Sequence, residues 1–311
     1  MHPAASLVFF TSLSGAGFGL LALLGLLTPA GTLPTARWFV AATIVIALTL
    51  AFAGLVSSTF HLLRPRRAIH AFSQWRSSWL SREAVAAVAT MLAATAYLGA
   101  SVFLERWLAR DAVVGVLVTF GALVTVYSTG MIYAVLKPIR EWHHPWVAPI
   151  YLLFALATGA VWLVAMATVF GATDPVPRLV AIAALVAAWS SKIRYWMLID
   201  RAVALGSAGT ATGLGGAPVT VRSLMWPHTE ANYLLKEMGF RIARKHTKKL
   251  RRIGIAFGGA IPALLVAVAP LASSTMSIVA SLLAVVFVMI GVLVERWLFF
   301  AEARHTVTLY Y

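Results

Sequence analysis

An all-α bundle of eight membrane-spanning helices is the fold this sequence predicts, and three observations predict it. The 311 residues are 61% hydrophobic, with a mean hydropathy of +0.87. Only 11% are charged, against roughly 25% in soluble domains. Eight predominantly apolar runs follow one another, each of about 20 residues, the length a helix needs to cross the hydrocarbon core of a bilayer. They lie near 5–28, 38–61, 83–104, 112–136, 147–171, 177–199, 253–271 and 275–299. We read one membrane domain over 1–311, with 200–252 as a basic connector and no soluble domain on either side of the bundle.

Each element has its own justification. The first run lacks a basic n-region and exceeds the length of a signal-peptide h-region, so it reads as a mature helix. Gly15, Gly17 and Gly19 recur on it, as small residues do where membrane helices pack closely. The second run ends at His61, one turn before Pro65. From Ser58 to Glu83 the connector crowds in Arg64, Arg66, Arg67, Arg76 and Arg82, with His61, His70, Trp75 and Trp79. A simple turn needs none of these. An ionisable group at the mouth of a spanning helix is a functional candidate by default, and lipid phosphates are the plainer partner for such a basic loop.

The fourth run carries Tyr127-Ser-Thr-Gly-Met-Ile-Tyr133, whose hydroxyls are expected to seek partners inside the bundle. Trp142-His143-His144-Pro-Trp146 reads as an interfacial belt. After the sixth run, 202–218 is rich in Gly, Ala, Ser and Thr and reads as a flexible loop. Residues 230–252 then carry a helical pattern, with Leu234, Leu235, Met238 and Ile242 on one face. Arg241, Arg244, Lys245, Lys248, Lys249, Arg251 and Arg252 follow. This helix either lies on anionic lipid or, with Arg64, Arg66 and Arg76, offers a docking platform to a soluble partner.

Eight crossings put both termini and the connectors 62–82, 137–146 and 200–252 on one side. Counted from Lys192 through Arg252, and with Arg296 and Arg304 in the C-terminal tail, that side receives 21 of the 25 Lys and Arg residues; Arg37, Arg106, Arg110 and Arg178 make up the other side. The positive-inside bias therefore predicts cytoplasmic termini. The net charge of +15 describes orientation here, with no nucleic-acid partner implied.

Several chemistries are excluded or weakened. With no cysteine the chain forms no disulfide and offers no thiolate to an iron–sulfur cluster. Of eight histidines only His61 falls within a run, whereas a transmembrane haem pair needs axial imidazoles at matched depths, so no haem is expected. There is no His-Glu-x-x-His metal motif, and Gly213-Leu-Gly-Gly is no phosphate cradle. Glu83, Glu105, Asp111 and Glu295 fall near run ends, which weakens an ion-coupled transporter. What remains is a site where His61, the arginines after it, Glu83, Tyr127 and Tyr133 gather around a small lipophilic molecule with a polar head.

The block His61-Leu-x-x-Pro65-x-Arg67-Ala68, then Leu80-Ser81-x-Glu83, resembles the dimethyl sulfoxide reductase membrane-anchor subunit family. So do Tyr127-Ser…Tyr133, Trp142-His-His-Pro and the tail Glu295-Arg-Trp…Ala301-Glu-Ala-Arg. Ser78-Trp-Leu-Ser-Arg-Glu83 also echoes the polysulfide reductase anchors. The resemblance spans nearly the whole chain. It implies a haem-free, eight-helix subunit of the bacterial inner membrane that holds a molybdopterin catalytic subunit and an iron–sulfur subunit. It also implies electron exchange with ubiquinone or menaquinone, with molybdopterin and clusters only in the partners. By that resemblance His61 hydrogen-bonds a quinone carbonyl and relays a proton, its ordinary titration lying near neutrality. Arg67 and Arg82 would stabilise negative charge developing on the ring, and Glu83 would orient an arginine or admit protons.

In the dimethyl sulfoxide reductase anchor the histidine-bearing face looks to the periplasm; the charge count here puts it in the cytoplasm. Together with Met-His-Pro-Ala at the start, that makes the chain look closer to the anchors of cytoplasmic sulfite dehydrogenases, which pass electrons into quinone. A quinol-oxidising anchor of a reductase, a purely structural anchor and a transporter are the competing readings.

Overall fold

The structure, a computed structural model, describes residues 5–34, 36–60, 69–70, 72–103, 112–202, 206–214, 221–222, 224–225 and 241–306, without the side chains of 211 and 241–244. Six long helices come first: α1 (Ala5–Leu27), α2 (Arg37–Thr59), α3 (Trp79–Phe103), α4 (Ala112–Ala134), α5 (Val147–Val169) and α6 (Val176–Asp200). A short helix, α7 (Ala208–Thr212), stands in the described part of the long connector. Then α8 (Arg241–Ile255), a π-helical turn (Ala256–Ala260) and α9 (Ile261–Val268) run on as one element, and α10 (Ser274–Ala301) closes the bundle. Eight of these segments are long and apolar enough to cross a membrane. The protein is an all-α, multi-pass membrane protein.

Hydropathy and hydrogen bonding stop at different places, and the structure shows where. α3 begins at Trp79, and α8 is already helical at Arg241, both ahead of the apolar runs they feed, because the helical ladder continues through polar interfacial turns. Ends are set by local chemistry. Gly171, at φ +73°, lets the chain leave α5 in the left-handed region. Asp174 Oδ1 accepts from the backbone N–H of Val176 at 2.8 Å, covering an orphan donor at the start of α6.

Inside an apolar medium each hydroxyl must find an acceptor, and the helices supply their own. Thr43 donates to the Phe39 carbonyl at 2.7 Å, Ser14 to Phe10 at 2.6 Å and Thr158 to Phe154 at 2.8 Å.

α1 is the most buried helix, packed on α2, α4, α5 and α10. Its glycines serve different neighbours. A Cβ on Gly17 would stand 2.5 Å from the Ala47 carbonyl of α2, while one on Gly19 would overlap the Ala155 carbonyl of α5. From the other side, a Cβ on Gly159 would overlap the backbone of Gly19 and Leu20. Backbone-to-backbone contact of this kind replaces the hydrophobic drive that lipid removes.

One end of the bundle, the connector face, gathers the N-terminal end of α1, the C-terminal end of α10 and the segments after α2, α4 and α6. Ser57 donates to the Ser6 carbonyl at 3.0 Å, Thr306 N–H to the Pro138 carbonyl at 2.9 Å, and Ile139 and His305 form an isolated antiparallel bridge.

Candidate functional site

The residues nominated from sequence fall into three groups. His61, Arg64, Arg66 and Arg67 lie outside the described residues, as does the side chain of Arg244. The rest of that connector is described from Phe72 to Ser78, where it forms turns leading into α3. Arg82 sits on the outer side of the first turn of α3. Its Nε donates to the Trp75 carbonyl at 3.0 Å and its Nη2 to the Arg76 carbonyl at 2.7 Å, while the guanidinium lies 4.3 Å from the Trp79 ring centre. Those bonds tie the incoming turn to the helix.

Glu83, the next residue, projects about 100° away around the helix and is only 3% exposed. Its carboxyl is held by the Thr129 hydroxyl, which shares its proton with the Thr125 carbonyl at 3.1 Å. Tyr133 lies one turn further along α4 on the same face, buried and stacked on Tyr151 at 5.8 Å. Edge contacts with Trp142, Phe299 and Phe300 enclose it. Tyr127 faces outward instead, 40% exposed, with its ring edge-on to Trp79 at 5.8 Å. The structure thus brings Glu83 and Tyr133 together inside the bundle, and leaves Arg82 and Tyr127 on its outer surface beside Trp79.

Sequence reasoning missed a second set of buried charges. Lys192 of α6 and Glu295 of α10 form an ion pair at 2.5 Å, with side-chain exposures of 1% and 0%. Arg296, 2% exposed, approaches Glu295 through Nε at 3.4 Å and lies 3.8 Å from the Tyr151 ring centre. Counting Lys192 and Arg296 as loop charges and Glu295 as a run-end acid placed all three at the surface. Hydropathy could not separate them, since an inward charge and a snorkelling one occupy the same position in a run. Trp189, Lys192, Tyr195 and Trp196 recur at helical spacing, and that face was the available signal.

The connector face opens into a cleft of about 1300 Å³. Lys245, Lys248, Lys249, Arg252, Arg140 and Arg304 make its lining strongly basic. Its floor is pinned by Arg251, which pairs with Asp200 at 2.5 and 3.0 Å and with Glu302 at 2.9 and 3.1 Å. Of the seven residues nominated for docking, Lys245, Lys248 and Lys249 lie on this one surface. Arg76 lies elsewhere, in the turn before α3, stacked at 5.4 Å from the Trp75 ring centre. His144, beside the cleft, has its pKa lowered by partial burial and by the nearby Arg140.

A family model described as DMSO reductase anchor subunit (DmsC) matches residues 1–301. A sulfite dehydrogenase subunit of Allochromatium vinosum is 32% identical over 340 residues, an alignment covering 100% of this chain and 99% of that relative.

Proposed function

From the premise that this chain belongs to the DMSO reductase anchor subunit family, and so is a membrane anchor of an oxidoreductase complex, we propose that it is the quinone-reactive subunit of that complex. The observation that carries the reading is Glu83: a carboxyl buried at the connector-face end of the bundle and bonded to Thr129, which lies one helical turn from Tyr133. A carboxyl buried among spanning helices is costly and needs a purpose. The neighbouring groups have the chemistry a quinone needs: Trp79 and Tyr127 at the rim offer aromatic faces, and titratable groups sit at the end of the bundle where water can supply protons.

Quinone is the lipid-phase substrate in this reading. Each turnover brings two electrons from an iron–sulfur partner subunit and two protons from water, giving quinol. Glu83 holds and passes a proton, and Tyr133 braces it by packing. His61 follows the end of α2 by two residues and donates a hydrogen bond to a quinone carbonyl; Arg67 balances charge on the ring. Arg82, engaged with the carbonyls of Trp75 and Arg76, acts by holding the connector in place. Tyr127 and Trp79 form an aromatic surface at the rim.

The name of the 32% identical relative supports sulfite oxidation by a molybdopterin partner, with electrons flowing into quinone. The basic excess supports an inner-membrane orientation with the connector face, both termini and the catalytic partners in the cytoplasm. Lys245, Lys248 and Lys249 then meet an acidic surface of a partner.

The test is turnover of the purified complex with quinone and with an artificial dye. His61→Ala should lose quinone turnover and keep dye turnover. A variant that keeps both would remove His61 from the site.

A further inference from the structure

The buried charges around Lys192 have no part in binding the quinone as described, yet they are the most expensive groups in the bundle. Two cations and one acid lie almost wholly out of solvent. An apolar replacement of similar volume is often neutral or stabilising, so stability alone gives little reason to keep them. Their position offers one. They stand between the cleft and Glu83, and side-chain contacts mark the way. Lys192 and the cleft-floor Arg251 both lie against the Trp196 ring, at 5.4 and 4.9 Å from its centre. Arg296 lies 3.8 Å from the Tyr151 ring centre, and Tyr151 stacks on Tyr133, one turn from the Thr129 that holds Glu83. On the cleft side, Tyr195 donates to the Glu141 carbonyl at 2.6 Å.

Polar gaps accompany this line. The Tyr151 hydroxyl, Arg296 Nη1 and the indole N–H groups of Trp189 and Trp196 are buried, with no hydrogen-bond partner among the described residues. Buried donors in natural proteins are met by ordered water where protein does not meet them. Such donors beside an ion pair at 2.5 Å are the setting in which protons pass between fixed groups and water.

We propose that Lys192 and Glu295 form a buried proton relay between the connector-face cleft and Glu83. A proton moves from the Lys192 ammonium to the Glu295 carboxylate, leaving amine and carboxylic acid. In surroundings of low dielectric that neutral pair competes with the ionic one. Glu295 passes the proton on past Tyr151 and Arg296 to Glu83, and Lys192 takes another from the cleft by way of Glu302. One proton crosses per cycle, no electron moves, and the pair ends as it began. Arg296 stays charged throughout and holds Glu295 in line.

This inference rests on the quinone reading of Glu83. Its test uses the whole complex with Lys192→Arg, which keeps the charge but holds its proton far more tightly. Lys192→Arg should assemble, keep dye turnover and lose quinone turnover by about a hundredfold or more, on the scale of a positioned proton-transfer group. The double variant Lys192→Met/Glu295→Gln, which removes both charges, should behave alike and carries the test if Lys192→Arg fails to assemble. In the wild-type complex, D2O should slow quinone turnover more than dye turnover. Wild-type quinone turnover in either variant, or equal solvent isotope effects in the two assays, overturns the relay. A wild-type complex inert toward quinone would instead overturn the reading beneath it.

Discussion

Lys192→Met should be among the most damaging single changes in this chain. The substitution keeps the length of the side chain and removes its charge, leaving Glu295 at 0% side-chain exposure. Breaking a buried pair from one side typically costs about 3–5 kcal/mol, because the remaining ion keeps its desolvation penalty. Arg296 Nε, at 3.4 Å, still offers Glu295 some compensation. The expected loss is therefore near the lower end, about 3 kcal/mol, or roughly two decades in the folded-to-unfolded ratio. Adding Glu295→Gln removes the stranded charge, and the double variant should recover most of the loss. The assay is denaturant titration of the purified subunit in mild detergent, run as a double-mutant cycle. A single variant within ~0.5 kcal/mol of wild type, or a double variant no more stable than the single, would refute the reasoning.

Other expectations follow from the same structure. Gly159→Leu places a side chain against the backbone of Gly19 and Leu20 and should prevent α1 and α5 from packing, read as loss of monodisperse protein on size exclusion; normal elution would contradict the contact. Reporter fusions after Arg110 and after Lys245 should show alkaline phosphatase active only at Arg110, and the opposite pattern would invert the proposed topology. Charge reversal at Lys245, Lys248 and Lys249 should release the partner subunits into the soluble fraction. Retention of the partners through moderate salt, equal to wild type, would assign the cleft to lipid.

The bundle was readable because bilayer thickness imposes a length on every apolar run, and α1 through α6 each announce themselves that way. Gly17 and Gly19 were readable as packing residues, though not that one serves α2 and the other α5. The site was only half legible. Glu83 and Tyr133 each stand in a short motif of one helix, whereas Arg82 and Tyr127 share those motifs and face outward. One residue along a helix turns a side chain by about 100°, enough to move Arg82 from the bundle interior to its rim. Lys192, Glu295 and Arg296 were hidden for another reason. They come from helices far apart in sequence, and each taken singly looks like a boundary charge. Only the fold, in which the Lys192 side chain of α6 reaches Glu295 of α10, makes them a cluster.

The most direct measurement of the central claim is photolabelling of the wild-type complex with an azidoquinone, followed by mass spectrometry of the modified peptides. The account predicts label on this chain at the connector-face end of the bundle, within the peptide holding His61 and Arg67, or on those holding Trp79–Glu83 and Tyr127–Tyr133, with excess unlabelled quinone competing it away. Competed label confined to a partner subunit, or to this chain at the opposite end near Thr28–Pro34, would contradict it.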